Sequence, residues 1–441
     1  MGRHTSHEFL HRLKEFIIEK NNSMIDMIRG DDPSAFTRKR KVSTLQIVMQ
    51  TLTQRGKTQR CEIRELSKSL GKNWVKDITD VGFYKARMKF NPSAMKAIAD
   101  AYLDEELKRN EPKKYRGFRI YAIDGSELLL PSNTKKERFA TGTSGNALSE
   151  NMPVMCKLSA LSDCLNNIVM DFRIDEYNHN ERDHAQSLER SISDDMRKDA
   201  LLLLDRGYFS FSHAFTLEEL GIHYLFRLNS YSLKSFQEGM NPGEEKNIET
   251  SVSKNLIGVH MRKGRDLSSL EGRLLKARMV CIKIEDTTEF LLTDLDASMM
   301  PVSCMAKLYH MRWDIETAFR ILKENLNMNE YSGRREKLIE QDICCAVWMH
   351  NIVSLYMKAM ENKRQMKSAR GTKLNRSNAI GVFKTYLITA LFHSYSRERY
   401  KAAKTIPKEI LKHVCLIRVG RNFSRDHACK NKSRMSYRSN Y

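Results

Sequence analysis

Two apolar runs that each stop at an aspartate constrain this chain more than any other feature. Ile120-Tyr121-Ala122-Ile123 leads into Asp124-Gly125-Ser126, and Leu201-Leu202-Leu203-Leu204 leads into Asp205-Arg206-Gly207-Tyr208. Short apolar runs closed by Asp and a turn glycine read as strands buried on both faces. The carboxyl ends of such strands are where α/β folds place their chemistry. Either aspartate alone reads better as a helix cap or a turn residue. Two of them, followed by the segment described next, point to a shared site.

Residues 303 to 326 carry Tyr309, Arg312, Glu316 and Lys323. On a helix each residue turns the axis by about 100°, so offsets of three, seven and fourteen bring these side chains to one sector roughly 60° wide. Leu308, Ile315, Phe319, Leu322 and Leu326 occupy the adjoining sector, as on a helix that packs on a sheet while turning a polar stripe to a site. A solvated ion-pair ladder has the same spacing. The two strand-end aspartates favour the site.

With these residues in view, the sequence resembles the DDE transposases of bacterial insertion sequences, in the branch marked by Y-x2-R-x3-E-x6-K and typified by insertion sequence four. The signature is complete as Tyr309, Arg312, Glu316 and Lys323, and it follows DGS at Asp124 and DRGY at Asp205. Similarity runs from about Tyr121 to Tyr331, with a weaker echo in DDPSAFTRKRKVS near the N-terminus. The resemblance implies a ribonuclease-H-like α/β core, a mixed five-stranded sheet with helices, in which Asp124, Asp205 and Glu316 are catalytic and bind metal. It also implies that Tyr309, Arg312 and Lys323 hold the DNA backbone, and that Arg227, in YLFRLNS, contacts DNA. Relatives carry a Trp that stacks on a flipped base; here the matching string is Glu289-Phe290-Leu291-Leu292-Thr293, so Phe290 takes its place.

The chemistry accounts for the residue types. A phosphodiester is anionic and its leaving group is an alkoxide, so two Mg²⁺ ions about 3.5 to 4 Å apart can activate the attacking oxygen and stabilise the departing one. Mg²⁺ takes oxygen ligands and keeps several waters, so a few carboxylates suffice, with Mn²⁺ the alternative ion. None of the nine cysteines forms a CxxC pair, and the H-x-C repeats His413-Val414-Cys415 and His427-Ala428-Cys429 match no zinc spacing class. A formal net charge of +21 calls for a polyanionic partner, and double-stranded DNA, as terminal inverted repeats and target, fits it. Basic clusters lie at Arg38-Lys39-Arg40-Lys41 and from Arg397 to Tyr441. The N-terminus resembles no signal peptide and no run of 18 apolar residues occurs, so no membrane is expected, and the resemblance implies a cytoplasmic, nucleoid-associated bacterial protein. A homodimer holding two DNA ends is the family expectation. Two rival readings are a silent repressor bound to inverted repeats and a nuclease or resolvase without strand transfer.

Five regions are expected. Residues 1–112 form a helical DNA-end-binding domain, in which Cys61 to Met88 could be a helix-turn-helix-like reader. Residues 113–229 carry the first part of the core. A β-rich insertion follows at 230–290, with strands at Leu256 to Arg262, Arg278 to Ile284 and Glu289 to Leu295. Residues 291–365 complete the core with the signature helix, and 366–441 form a helical, basic C-terminal region. Ala140 to Ser149 lacks the Lys-Ser/Thr of a P-loop. Asn178-x-x-Glu181 reads as a capping box opening a helix, with His179 and His184 open between structural and site roles.

Overall fold

Eight strands make one mixed sheet in the computed structural model, which describes residues 2–38, 40–71, 78–131, 154–177, 179–261, 267–284, 287–364 and 371–417. In chain order these are β1 (Arg119–Leu129), β2 (Met155–Asp163), β3 (Ile168–Glu176), β4 (Ala200–Leu204), β5 (His223–Arg227), β6 (Glu245–Ser251), β7 (Leu274–Ile284) and β8 (Thr287–Thr293), arranged β3-β2-β1-β4-β5-β8-β7-β6. β1, β4 and β5 run parallel, and every other pairing is antiparallel. The loop Ala140 to Ser149, Lys39, Asn178, His427, Cys429 and the tail beyond Ile417 lie outside the described residues.

The expected five strands are β3-β2-β1-β4-β5, but the sheet does not end there. β8 pairs antiparallel with β5, placing Leu225 opposite Thr293 and Arg227 opposite Leu291, and β7 and β6 follow. The β-rich segment therefore continues the sheet, because an unpaired β5 edge would leave a row of main-chain donors and acceptors without partners. Of the expected strand from Leu256 to Arg262, the described residues 256–261 are helical instead, within Lys254–Met261, and Arg262 lies outside the described residues. A short apolar run fits either element by pattern alone.

Although β4 and the stretch Ile120 to Ile123 of β1 are apolar throughout, the pleat sorts their residues onto two faces. Ile120 and Ala122 with Leu201 and Leu203 enter one buried cluster, while Tyr121 and Ile123 with Leu202 and Leu204 enter the other. The second cluster is covered by helices Glu181–Arg190 and Phe211–Leu220. Side-chain caps from Asn180 and Ser210 open these two helices, and left-handed Gly221 closes the latter. The expected capping box gives way to Asn180, whose side chain accepts from the Arg182 amide.

The first face carries the helices of the signature segment and, beyond them, the long helix Glu336–Arg364. That helix has a window of mean hydropathy 1.2, yet 89% of the window is buried inside the protein. It is a core helix around which N-terminal helices Gly2–Ser23, Thr44–Leu52 and Pro92–Arg109 pack, together with Arg376–Phe392. One apolar cluster thus extends from Phe9 to Ile410. Helices Gln59–Leu70 and Asp80–Arg87 flank residues 72–77, which lie outside the described residues, at the suggested DNA reader. The second of them is anchored inward. Arg87, 1% exposed, donates to Asp342 at 2.9 Å and to Gln341 at 3.0 Å on the core helix.

Candidate active site

Strand register alone brings the two aspartates level. β1 and β4 pair in parallel with Ala122 opposite Leu203, so two residues on, Asp124 stands beside Asp205. β4 and β5 pair with Leu204 opposite Phe226, so the next residue along puts Asp205 beside Arg227. Alternation then decides the face. Asp124 follows Ile120 and Ala122, Asp205 follows Leu201 and Leu203, and Arg227 follows Leu225, all in the cluster under the signature helices. Three polar side chains stand in a row on one face of the sheet, just beyond the last parallel pairs of β1, β4 and β5; contrary to the expectation, β1 does not stop at Asp124 but continues to Leu129 against β2.

The signature segment crosses this row, though not as one continuous α-helix. Val302–His310 and Trp313–Arg320 are α-helical, joined by a turn with tighter three-residue hydrogen bonds at Met311 and Arg312, and Ile321–Asn325 is a π-helical turn. Such π turns often mark functional positions. Tyr309 donates to Asp205 Oδ1 at 3.1 Å. Arg312 donates to Glu316 Oε1 at 2.7 Å and has Nη1 3.7 Å from Asp124 Oδ2, so one guanidinium spans two of the acids. Lys323 donates to Ser126 Oγ at 2.7 Å and to the Glu127 carbonyl at 2.8 Å, fastening the π turn to the end of β1.

Tyr309 is 1% exposed and Arg312 2%, and both face carboxylates rather than solvent. Burial is tolerated here because the Tyr309 hydroxyl and the two terminal nitrogens of Arg312 each face a carboxylate. Arg312 Nε is buried without a hydrogen-bond partner.

Arg227 lies among acids as well. Its Nε donates to Glu289 Oε2 at 2.8 Å, a second nitrogen pairs with Glu289 Oε1, and Nη1 is 3.6 Å from Asp205. Glu289, buried on β8, also receives Arg206 at 2.7 Å. Glu289 is therefore the organising residue that the sequence reading passed over. Its signal is a charged residue in phase with inward-facing Leu291. Phe290, one position on, points to the opposite face, where it is half-buried against the second cluster. The pleat turns Phe290 away from the face that carries the acids.

Two further residues complete the surroundings. Tyr208, 3% exposed, sits near Asp124, Glu181 and Asp205, and burial and these carboxylates push its phenol up. Glu181 leans over Gly125, where an added Cβ would come within 3.1 Å of its Oε1. Glu181 also pairs with Lys157 at 3.1 Å.

Charge separates the two aspartates. Burial pushes the Asp124 carboxyl up to about 6; Glu316 and Asp205 add to the rise and Arg312 opposes it. Burial would raise Asp205 too, but Arg312, the Arg206 amide, Arg227 and Tyr309 together hold it below the usual carboxylate range. The side chains of Asp124, Asp205 and Glu316 are 26%, 37% and 38% exposed, open enough for a hydrated cation. An all-carboxylate set with mutual repulsion suits a hard divalent ion that keeps some of its waters.

A family model described as the transposase DDE domain matches residues 115–352. Transposase InsG for insertion sequence element IS4 of Escherichia coli (strain K12) is 24% identical over 286 residues, a match covering 62% of this chain and 59% of that protein's length. The piggyBac transposase in a synaptic complex with hairpin DNA gives a TM-score of 0.46 at 10% identity, over 92% of this chain and 84% of that one.

Proposed function

The chain belongs to the DDE transposase family, insertion-sequence-four type, and from that premise we propose that it is a cut-and-paste DNA transposase with a ribonuclease-H-like core. The observation that carries the reading is the row formed by Asp124 and Asp205 at one level of adjacent parallel strands, under the segment that bears Glu316. Asp124, Asp205 and Glu316 would hold two Mg²⁺ ions, or Mn²⁺, which supply an activated oxygen nucleophile and stabilise the departing 3′ oxygen.

The protein's own residues set up that site. Arg312 keeps Asp124 and Glu316 turned toward each other and offsets part of their repulsion before DNA arrives. Tyr309 fixes the orientation of Asp205 through its phenol hydrogen. Lys323 and Arg227, each only half-buried, supply positive charge at the two ends of the row, where DNA phosphates would approach. The reaction in this reading is nicking of the transposon end, attack of the freed 3′ hydroxyl on the opposite strand to give a hairpin, hairpin opening and joining to target DNA. Two protomers would hold two ends.

A strand-transfer assay with a pre-cut end tests this. The transposase should insert that end into a second duplex in the presence of Mg²⁺. Cleavage of intact ends without insertion of the pre-cut one would make the protein a nuclease or resolvase, and binding with neither reaction would make it a repressor of inverted repeats.

A further inference from the structure

Behind the active site, Asp175, His179 and His184 gather at the junction between β3 and the helix Glu181–Arg190. Their candidate ligand atoms all lie within 4.8 Å of one another, and among the described residues this is the one group of three or more such side chains so close. Asp175 Oδ2 is 3.7 Å from His179 Nδ1 and 3.7 Å from His184 Nε2. The two imidazole rings are stacked, with centroids 4.2 Å apart.

His184 makes this more than a surface cluster. It is 4% exposed, and its Nε2, which faces Asp175, is buried with no hydrogen-bond partner. The other nitrogen, Nδ1, is held by Ser159 Oγ at 2.9 Å. A ligating histidine has this form: one ring nitrogen fixed by an outer hydrogen bond and the other left as a free donor toward the metal. An unpartnered buried ring nitrogen otherwise costs free energy with no return. Lys157, the cation on the neighbouring strand, is occupied by the His179 carbonyl at 3.1 Å and by Glu181.

We propose that Asp175, His179 and His184 form a second metal site, distinct from the three-acid site, that takes a first-row divalent transition metal such as Zn²⁺. Two imidazoles and one carboxylate select such an ion over Mg²⁺, which prefers all-oxygen ligands. Asp175 and His179 are each about one-third exposed, leaving a side open for water as a further ligand. The ion would pin the start of the helix whose first residue, Glu181, packs over Gly125 beside Asp124. Its role is to stiffen one wall of the active site, and the proposal stands whether or not the protein performs strand transfer.

Co²⁺ loading of the full-length protein, freed of metal by chelation, provides the test. The wild type should bind about one tight Co²⁺ per chain with a visible d–d band from a four- or five-coordinate N/O site, and no thiolate charge-transfer band. His179→Ala and Asp175→Asn, both at partly exposed positions, should lose the band, whereas Glu316→Gln should keep it. Zn²⁺ should raise the thermal midpoint of the wild type and leave that of His179→Ala unchanged. The proposal is overturned if the wild type shows no band, if His179→Ala retains it, if Glu316→Gln abolishes it, or if the spectrum reports sulfur ligation.

Discussion

Asp124 bears the cost of assembling the three acids. Its carboxyl is raised from an ordinary value of 3.8 to about 6, so the fold disfavours its charged form. The sign follows: the penalty is absent below about pH 3.8, grows between there and pH 6, and is complete above it. Two pH units correspond to about 3 kcal/mol, and partial exposure of the side chain reduces this to roughly 2 kcal/mol. Asp124→Asn should therefore raise the stability of the metal-free protein at pH 7, with the gain vanishing near pH 4, as followed by denaturant unfolding across that range. The same variant should lose the stabilisation that Mg²⁺ gives the wild type. Glu316→Gln tests the third acid: it removes a charge with little change of shape, so DNA-end binding should persist while Mg²⁺-dependent nicking falls by at least about a hundredfold, equivalent to about 2.7 kcal/mol of barrier. Undiminished nicking would remove Glu316 from the triad.

At the scale of elements, a few polar side-chain contacts fix how helices and strands meet. Arg87 and Asp342 tie the helix Asp80–Arg87 to the core helix, with side chains 1% and 3% exposed. Removing one partner leaves a buried charge, so Arg87→Met should cost about 3 to 5 kcal/mol, and adding Asp342→Leu should recover much of it. A double-mutant cycle measured by chemical denaturation checks this; strictly additive losses would show that the two residues do not act as a pair. Glu289 does comparable work on β8 by holding Arg206 and Arg227 at the edge of the acid row. The π turn Ile321–Asn325 is a third such device, since Lys323 within it reaches Ser126 and Glu127 on β1.

For the molecule as a whole, the apolar cluster running from Phe9 to Ile410 means that the N-terminal helices share the core beneath the active site. They cover the helix Glu336–Arg364, which is buried along most of its length. A fragment spanning 113–365 would expose that helix to water, at about 25 cal/mol for each Å² of apolar surface. It should therefore give no cooperative thermal transition, whereas the full chain should; a cooperatively folding fragment would show that the catalytic segments need no cover. The net charge of +21 belongs to this scale too, as a field that draws polyanions whatever their sequence.

The sequence by itself determined the local pieces. The apolar runs that lead into Asp124 and Asp205 and the stripe from Tyr309 to Lys323 follow from patterns that span a few residues, because strand and helix periodicities repeat within one or two turns of chain, whereas β1 runs on past Asp124 to Leu129 because β2 pairs with it there. Tertiary structure decided what faces what. That Arg312 serves Asp124 and Glu316, that Glu289 locks Arg227 and that Phe290 turns to the other face depend on which residue stood across a neighbouring strand. Such choices depend on partners tens or hundreds of residues away, and burial, which sets the cost of leaving a charge unpaired, exists only once the layers have closed.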